Sequence, residues 1–467
     1  MSPHPMARIQ SPPGGRFGAG VLRLVVVLAL AGVAASPGAT AADASSSNSS
    51  TARRTLTLSQ AEESALRNQP TLRQAHAQTD AAQGRVEQAR SGYLPQAALT
   101  GTYQRTSTKP QPRPGINTTT GSTFSTSFPT SSVNYFTFGI QASQLIYDFG
   151  QTSGRWDAAI ATRDASQMTE LTTEQQALLN VRSAYFLARA DEDLITVARE
   201  TLANQEKHLN QIQAFVGAGI RPEIDLAQAR TAVSNARVQL VTAVNNQAVA
   251  SAQLEQAMGL NAHAQYDLAD SALSPVAGED GTLETLVDNA LAVRPELATL
   301  QRQRRAQELA IAALRGAYGP SLSANGGATE AGLEIDHMVP NWFVGLSLNW
   351  NFLQGGLTKG QVHEANANLV ALQAQEDNLR LTVRVEVEQA QLGVRAAKET
   401  ITASHDAVVN ARDQLRLAEA RYAQGLGSVI ELGDAQVAVT AAAAQDVQAR
   451  FNLSAARAQL MSALGVR

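Results

Sequence analysis

The chain has 467 residues, no cysteine and a formal net charge of −4 at pH 7, and aromatic residues make up only 5% of it. The lack of cysteine excludes a disulfide framework, a thiolate nucleophile and a cysteine-ligated metal. The slightly acidic balance argues against a nucleic-acid partner, and the low aromatic content argues against one compact globular core.

Residues 1–41 have the pattern of a secretory signal. Three arginines precede an apolar run, which ends near the small residues Ala39-Thr40-Ala41. We expect the mature chain to begin near Ala42, with a Ser-rich tether over residues 42–54. No other uninterrupted apolar stretch reaches the roughly 18 residues that a membrane-spanning helix needs, so a helical membrane protein is not expected.

The rest of the chain is an internal duplication. We assign a first repeat to residues 55–261, a linker to 262–281 and a second repeat to 282–467. A unit repeated in this way is a structural module that needs its twin. The copies match at Ala65 to Leu72 and Ala290 to Leu297, at Gly150 to Gly154 and Gly356 to Gly360, and at Gly219 and Gly425.

Each repeat contains two segments with the period of a β-strand. Val344, Leu346 and Leu348 lie on one side of such a segment, while Gly345 and Ser347 lie on the other. This alternation predicts strands with one apolar and one polar face, arranged as two hairpins. The predicted strands are at about 94–106 and 133–149, joined by a loop at 107–132, and at about 319–330 and 342–353.

The remaining segments have a helical composition. They are rich in Ala, Gln, Leu, Glu and Arg, which are strong helix formers, and the longest of them contain no proline. Apolar residues at a spacing of three and four predict coiled-coil seams with many small residues. A helix over residues 150–216 would be ~100 Å long at 1.5 Å per residue. The predicted helices cover 150–216 and 221–258 in the first repeat, and 356–422 and 428–464 in the second.

The strands imply assembly. In a bilayer every backbone group must be paired, so strands persist there only in a closed barrel. Bacterial barrels begin at about eight strands, so four strands per chain cannot close and several chains must contribute their hairpins. The alternative is a soluble sheet covered by helices. The secretory signal and the two-faced alternation favour the membrane barrel.

The chain resembles the TolC-like outer membrane factors, also called outer membrane efflux proteins. The resemblance covers essentially the whole mature chain and is carried by Leu145 to Gly150 and Trp350 to Gly356, which match the strand-to-helix junctions, and by the helix tips near Gly219 and Gly425. It implies a mainly α protomer that forms a homotrimer, with a 12-stranded membrane β-barrel in outer membrane lipid and a 12-helix periplasmic α-barrel. It also implies two partners, a periplasmic adaptor (membrane fusion protein) and an inner-membrane pump.

The helix tips are the first candidate site. Gly219 and Gly425 each end a long helix where a left-handed residue is usual, and Pro222 and Ser428 then restart the chain. These features alone predict helical hairpin turns. The resemblance adds a docking role for the adaptor, for which the candidate residues are Gly219, Arg221, Pro222, Gly425, Gly427 and Ser428.

The second candidate site is a periplasmic gate. Glu431 and Asp434 lie three apart on one helix face, and acids in a first turn are also favoured by the helix dipole alone. By resemblance they match acidic rings at the periplasmic entrance, and Tyr422 and Asp225 match a hydrogen-bonded pair that holds the entrance shut. Gly427 occupies a position where the family's best-known member has an arginine, which implies that one bond of this latch is missing.

Nothing in the sequence suggests an enzyme, a cofactor or a metal site, since the histidines are scattered without metal-ligand spacing. The resemblance implies a passive exit duct of a tripartite efflux or type I secretion system, and small-molecule efflux is favoured over protein export. The alternatives are a periplasm-spanning structural scaffold and a stand-alone channel without a pump.

Overall fold

The computed structural model describes residues 54–108, 114–116, 123–125, 131–261, 266–270 and 272–466. The predicted signal and all but the last residue of the predicted tether lie outside these residues. None of the helices within the described ranges is long and apolar enough to span a membrane.

The first repeat contains short helices, a β-hairpin and a long helical hairpin. The strand predicted at 94–106 lies two residues later in the chain, and the strand predicted at 133–149 lies two residues earlier. Both long helices lie within two residues of their expected bounds. The elements are β1 (Arg54–Leu56), α1 (Leu58–Asn68), α2 (Pro70–Ser91), β2 (Gln96–Thr108), β3 (Pro114–Ile116), β4 (Thr123–Ser125), β5 (Ser131–Tyr147), α3 (Gln151–Gly217) and α4 (Glu223–Ala257).

The second repeat follows the same order. The strand expected at 342–353 begins three residues earlier, at Val339, and ends four residues earlier, at Asn349. The chain turns there, and the indole nitrogen of Trp350 donates to the Tyr318 carbonyl (3.1 Å). The predicted linker contains β6 (Tyr266–Leu268). The elements of the second repeat are α5 (Leu283–Val293), α6 (Pro295–Gly316), β7 (Ser321–Gly332), β8 (Val339–Asn349), α7 (Leu357–Ala423) and α8 (Val429–Leu464).

The two hairpins join into one four-stranded antiparallel sheet in the order β2-β5-β7-β8. Strands β2 and β8 are its edges, and within the described part of the chain no further strand pairs with either of them. Exposed edges present unpaired N–H and C=O groups that other chains can bond. In one protomer the sheet is therefore open at both edges, β2 and β8.

One face of this sheet is apolar and exposed. The register places Leu99 opposite Ile140, Ile140 opposite Ala328 and Ala328 opposite Trp342, so one row of side chains crosses all four strands. Leu99 is 82% exposed and Trp342 is 76% exposed. Apolar surface of this extent on a protomer marks a surface that contacts other chains or lipid.

The long helices pack in the order α4-α3-α8-α7. Of the short helices, α1 and α2 pack against α3, α6 packs against α3 and α7, and α5 packs against α7 and α8. One core cluster combines Val181 and Tyr185 of α3 with Leu254 of α4, and a second combines Val387 of α7 with Leu460 of α8. Both clusters contain many alanines, which allow the helices to approach closely. Within the described part of the chain, the buried residues form several separate clusters in place of a single compact core.

The duplication preserves contacts while it changes their chemistry. Thr79 of α2 donates to Glu170 of α3 (2.7 Å), and in the second repeat Arg304 donates to Glu376 (3.1 Å) at the corresponding positions. At the junctions, the Asp148 carboxylate accepts a bond from the Thr152 amide at the start of α3. The second copy lacks this aspartate, and the side chain of Gln354 accepts from Thr358 instead (3.0 Å).

The expectation of four strands with only helices elsewhere is wrong in two places. Strands β1 and β6 pair in parallel, so the end of the predicted tether and the predicted linker at 262–281 are ordered against each other. Strands β3 and β4 pair within the loop predicted at 107–132. All four have three residues, too few to show a period in the sequence.

Candidate functional site

Both long hairpins turn by the same backbone geometry. The amide of Ile220 donates to Phe215 (2.9 Å) and that of Gly219 to Val216 (3.0 Å), and the second tip repeats this pair of bonds around Gly425. These are the two bonds of a Schellman motif, which requires a left-handed residue after the helix. Gly219 has φ of 71° and Gly425 has φ of 78°, so the two glycines occupy the positions that require them.

The returning helices begin differently. The hydroxyl of Ser428 accepts a bond from the Glu431 amide (3.1 Å) and caps α8. Pro222 has extended backbone and immediately precedes α4, but it has no side-chain acceptor to cap the helix. Acidic Glu223 and Asp225 lie in this first turn, where the helix dipole stabilises their negative charges.

The structure brings Tyr422 and Asp225 together, although they are 197 residues apart in sequence. Tyr422 ends α7 and Asp225 begins α4, and both are buried, at 4% and 5% exposure. The Tyr422 hydroxyl donates to an Asp225 carboxylate oxygen at 3.5 Å, the long end of the hydrogen-bond range. The bond links the tips of the two hairpins of one protomer.

Arg221 completes this link. Its guanidinium carbon lies 4.4 Å from the centroid of the Tyr422 ring, and one terminal nitrogen donates to the Tyr422 carbonyl (3.1 Å). Arg221 was predicted as a docking residue, and the structure places it half-buried against the other hairpin. Spacing along the sequence could not indicate this contact.

His208 of α3 also contacts the Tyr422 ring. The ring centroids lie 5.5 Å apart in an edge-on arrangement, and His208 is buried. Burial lowers the pKa of His208, and Gln211 and Glu419 oppose this shift. Burial also raises the pKa of Tyr422, with a further contribution from Asp225 and an opposing one from Arg221. The tyrosine therefore stays protonated and can donate to Asp225.

The two predicted ring acids differ in their surroundings. The carboxylate of Glu431 lies 3.0 Å from the Nε atom of Arg421 on α7, so its charge is partly balanced. Asp434 is exposed, one turn further along α8, and lines a cavity of about 240 Å³ that also contacts His208. Both acids are close to the tip, in the first two turns of α8.

Gly427 allows the second tip to turn tightly. Its amide donates to the Arg421 carbonyl (3.0 Å), and a Cβ atom added at this position would lie 3.1 Å from the Tyr422 nitrogen. A side chain at Gly427 would require these neighbours to shift. The glycine is thus explained by close backbone approach, and the cation beside Tyr422 comes from Arg221.

The tips join in a small apolar cluster and expose a further apolar set. Ile212, Ala418, Tyr422 and Leu432 pack together in the cluster, which draws on all four long helices. Two matched pairs of large apolar side chains, one pair per tip, stay more than 60% exposed. They are Ile220 with Ile224 at the first tip and Leu426 with Ile430 at the second.

One group of possible metal ligands lies far from the tips. Among the described residues, the side chains of Glu334, Asp336 and His337 in the β7–β8 loop have potential ligand atoms within 4.8 Å of one another. All three are exposed, and exposed carboxylates are commonly this close without an ion. The expectation that the protein needs no metal stays a prediction.

Comparison with known proteins follows the duplication. The family model described as outer membrane efflux protein matches residues 61–260 and 286–466, which include both pairs of long helices and both hairpins. The two matched segments are separated by the region that contains β6 and the start of α5.

Curated relatives and solved structures agree with this match. The toluene efflux pump outer membrane protein TtgF of Pseudomonas putida is 26% identical over 321 residues, which cover 68% of this chain and 66% of the relative. The match thus spans just under two thirds of the relative's length. The outer membrane protein TolC of Escherichia coli (strain K12) is 27% identical over 412 residues, covering 85% of this chain and 79% of TolC.

The Campylobacter jejuni CmeC outer membrane channel has the same fold. It superposes with a TM-score of 0.75 at 18% identity, over 87% of this chain and 85% of the channel chain. At this identity the likeness concerns the fold alone.

Proposed function

The chain belongs to the outer membrane efflux protein family, and from that premise we propose that it is the exit duct of a tripartite efflux assembly. Like its relatives, it is a channel protein of the bacterial outer membrane that extends into the periplasm, and it is not an enzyme. Its fold is the one that forms trimeric TolC-like channels. The duct itself is passive, and energy comes from an inner-membrane pump through a periplasmic adaptor.

The observation that carries the proposal is the open-edged sheet that continues into two very long helical hairpins. Each protomer supplies four strands with an exposed apolar face, and three protomers supply the twelve that close a barrel without edges. Helices α3 and α7 have 67 residues each. They are therefore ~100 Å long and supply a tunnel that extends far beyond the sheet.

The tips are the gate in this proposal. Tyr422, Asp225 and Arg221 tie the two hairpins of a protomer together, so separating the hairpins requires breaking their contacts. Glu431 and Asp434 then form acidic rings at the closed periplasmic end. The exposed pairs around Ile220 and Leu426 form the surface that receives the adaptor.

We assign small molecules as cargo in preference to exported proteins. The Pseudomonas putida relative is named for toluene efflux. The long helices here are dominated by alanine, glutamine and other residues without strong chemical preference. Selection of the cargo therefore belongs to the pump, and the duct accepts what the pump delivers.

Crosslinking at the tips tests the docking role, because the natural chain contains no cysteine. Ile220→Cys and Leu426→Cys each create one thiol at a tip, at side chains that are 68% and 70% exposed and outside the latch. Val238→Cys, 65% exposed on α4, is the matched control away from the tips. A bifunctional thiol-reactive crosslinker is then applied to intact cells.

We expect both tip variants, and not the control, to capture a periplasmic adaptor, and the pump that copurifies with it to identify the cargo class. If a normally abundant trimer captures no adaptor at either tip, the docking role is wrong. A scaffold or a stand-alone channel would give that result.

A further inference from the structure

A long groove runs along the helical wall above the tips. It lies between α4 and α8 with α3 as its floor, and it encloses about 570 Å³. From the lowest to the highest position on α3, Gln205 to Asp191, the groove extends ~21 Å at 1.5 Å per residue. Its apolar lining includes Val197, Ala198, Ala236, Val238, Val437 and Ala441.

Two carboxamides line the lower end of the groove. Gln205 of α3 and Gln436 of α8 are each only 9% exposed, and within the described part of the chain neither side chain makes a hydrogen bond. Thr201 and Thr440, in the same groove, both donate to carbonyls of their own helices. The polar atoms of both side chains are accessible from the groove, so a polar group of a bound molecule can take the place of water there.

The groove has a defined charge. Asp191 is the sole charged residue that lines it, and no lysine or arginine is present among its described lining residues. Burial raises the pKa of Asp191, which means that its carboxylate lacks the compensation a cation would give. The groove therefore has an acidic upper end, apolar sides and a hydrogen-bonding lower end.

We propose that this groove binds a lipophilic organic cation, with its charged group at Asp191, its apolar body along Val197 and Val437, and a polar group at Gln205 and Gln436. An organic cation complements a lone carboxylate, and an apolar body of drug size suits a cavity of 570 Å³. The site is in the wall of the protein, and its lower end at Gln205 and Gln436 adjoins the smaller cavity that Asp434 lines, whereas Asp191 lies at the opposite end. It does not depend on which cargo the duct carries.

Thiol protection in the purified trimer, reconstituted in lipid nanodiscs, tests the site. Ala441→Cys places the only thiol of the chain on the exposed part of the groove, and Gln445→Cys places it one turn away on an exposed part of α8 that does not line the groove. The probes are rhodamine 6G and fluorescein, dyes of similar shape and opposite charge. The measured quantity is the rate of maleimide labelling at each thiol.

We expect rhodamine 6G to slow labelling of Ala441→Cys at least fivefold and to leave Gln445→Cys unchanged, while fluorescein changes neither. Adding Asp191→Asn should weaken the protection by about tenfold, the loss of one charge-assisted contact. Adding Gln436→Leu should weaken it less and preserve the preference for the cation.

Three results would overturn the proposal. Equal protection by both dyes would mean that the groove is a non-selective apolar surface. Absence of protection would mean that the groove does not bind an organic cation. Failure of Ala441→Cys to react in the free trimer would mean that a second copy covers the groove. Tip crosslinking to an adaptor is independent of all three results, so this proposal and the proposed function can fail separately.

Discussion

The guanidinium of Arg221 lies over the ring of Tyr422, 4.4 Å from its centroid, and donates to the carbonyl of the same residue. The two residues belong to the tips of different hairpins. The resemblance places Gly427 where the family's best-known member has an arginine, and here that glycine packs closely against the backbone of Tyr422. In the proposed latch, the cation beside Tyr422 is therefore Arg221 of the opposite hairpin.

Arg221→Ala should loosen the tips. It removes a cation–π contact and a hydrogen bond, together worth about 1 to 2 kcal/mol at a partly buried site. We expect a higher open probability of the trimer in planar bilayers, with unchanged stability of the sheet. Arg221→Lys should give an intermediate result because lysine lacks the planar fork. Arg237→Ala, which breaks an exposed pair with Glu206 of α3, is the control and should behave as the natural protein.

Tyr422→Phe combined with Asp225→Ala should also open the channel. Their hydrogen bond is long, so we assign it about 1 kcal/mol per protomer, or about a fivefold shift in the opening equilibrium of one tip. Single-channel recording measures the effect. Tyr185→Phe is the matched control, since this buried tyrosine bonds the carbonyls of Leu56 and Ala269 far from the tips. If the double variant conducts no better than the natural protein, the latch assignment is wrong.

Removal of the tip acids should reduce cation selectivity. If three copies place Glu431 and Asp434 around the axis, their carboxylates attract cations and repel anions. We expect Asp434→Ala to have the larger effect, because the charge of Glu431 is partly balanced by Arg421 at 3.0 Å. Reversal potentials in a salt gradient measure the selectivity. Glu223→Ala, an exposed acid in the first turn of α4, serves as the control, and an unchanged reversal potential in the Glu431→Ala and Asp434→Ala double variant would exclude a ring at the narrowest point.

The local patterns in the sequence carry much of the fold. Alternation such as that of Val344, Leu346 and Leu348 indicates a strand with a defined face. The copies match at an offset of 225 residues before the first hairpin and 206 after it, which transfers each assignment to its twin. Gly219 and Gly425 mark helix ends because a Schellman motif requires a left-handed residue. The family resemblance also pairs Tyr422 with Asp225, and the structure places their side chains within hydrogen-bonding distance.

The contacts between residues distant in sequence could not be predicted from such local patterns. Arg221 contacts a carbonyl 201 residues away, and no periodicity reports a contact of that kind. Likewise, the predicted linker contains Glu279, which is bound by Arg457 at a separation of 178 residues. A charged residue in a stretch without periodicity is expected to be solvated, and only the packing of the linker against α7 and α8 makes it a buried acid.

Glu279 binds the linker between the two repeats to the second repeat through ionic contacts. Glu279 is only 3% exposed. Its carboxylate accepts bonds from Arg457 of α8 (3.0 and 3.1 Å), from Lys398 of α7 (2.8 Å) and from the Val276 amide (2.9 Å). Burial alone would raise the pKa of Glu279, but the bonds from Arg457, Lys398 and Val276 outweigh it and lower the pKa to about 2. The linker is therefore held to both long helices of the second repeat.

Glu279→Gln should destabilise this region by about 3 kcal/mol, because Arg457 is left buried without its counter-charge. Since the folded pKa of Glu279 lies below the value of 4.5 that it has when solvated, its stabilisation is fully present above pH 4.5 and is lost as the pH falls towards 2. The difference in melting temperature between the natural protein and the variant should thus be constant from about pH 8 to about pH 5 and shrink below that range. Asp280→Asn removes an exposed partner of the same Lys398 and should change the melting temperature little at any pH. A difference between Glu279→Gln and the natural protein that persists unchanged at about pH 3 would show that the carboxylate's charge is not what holds the linker.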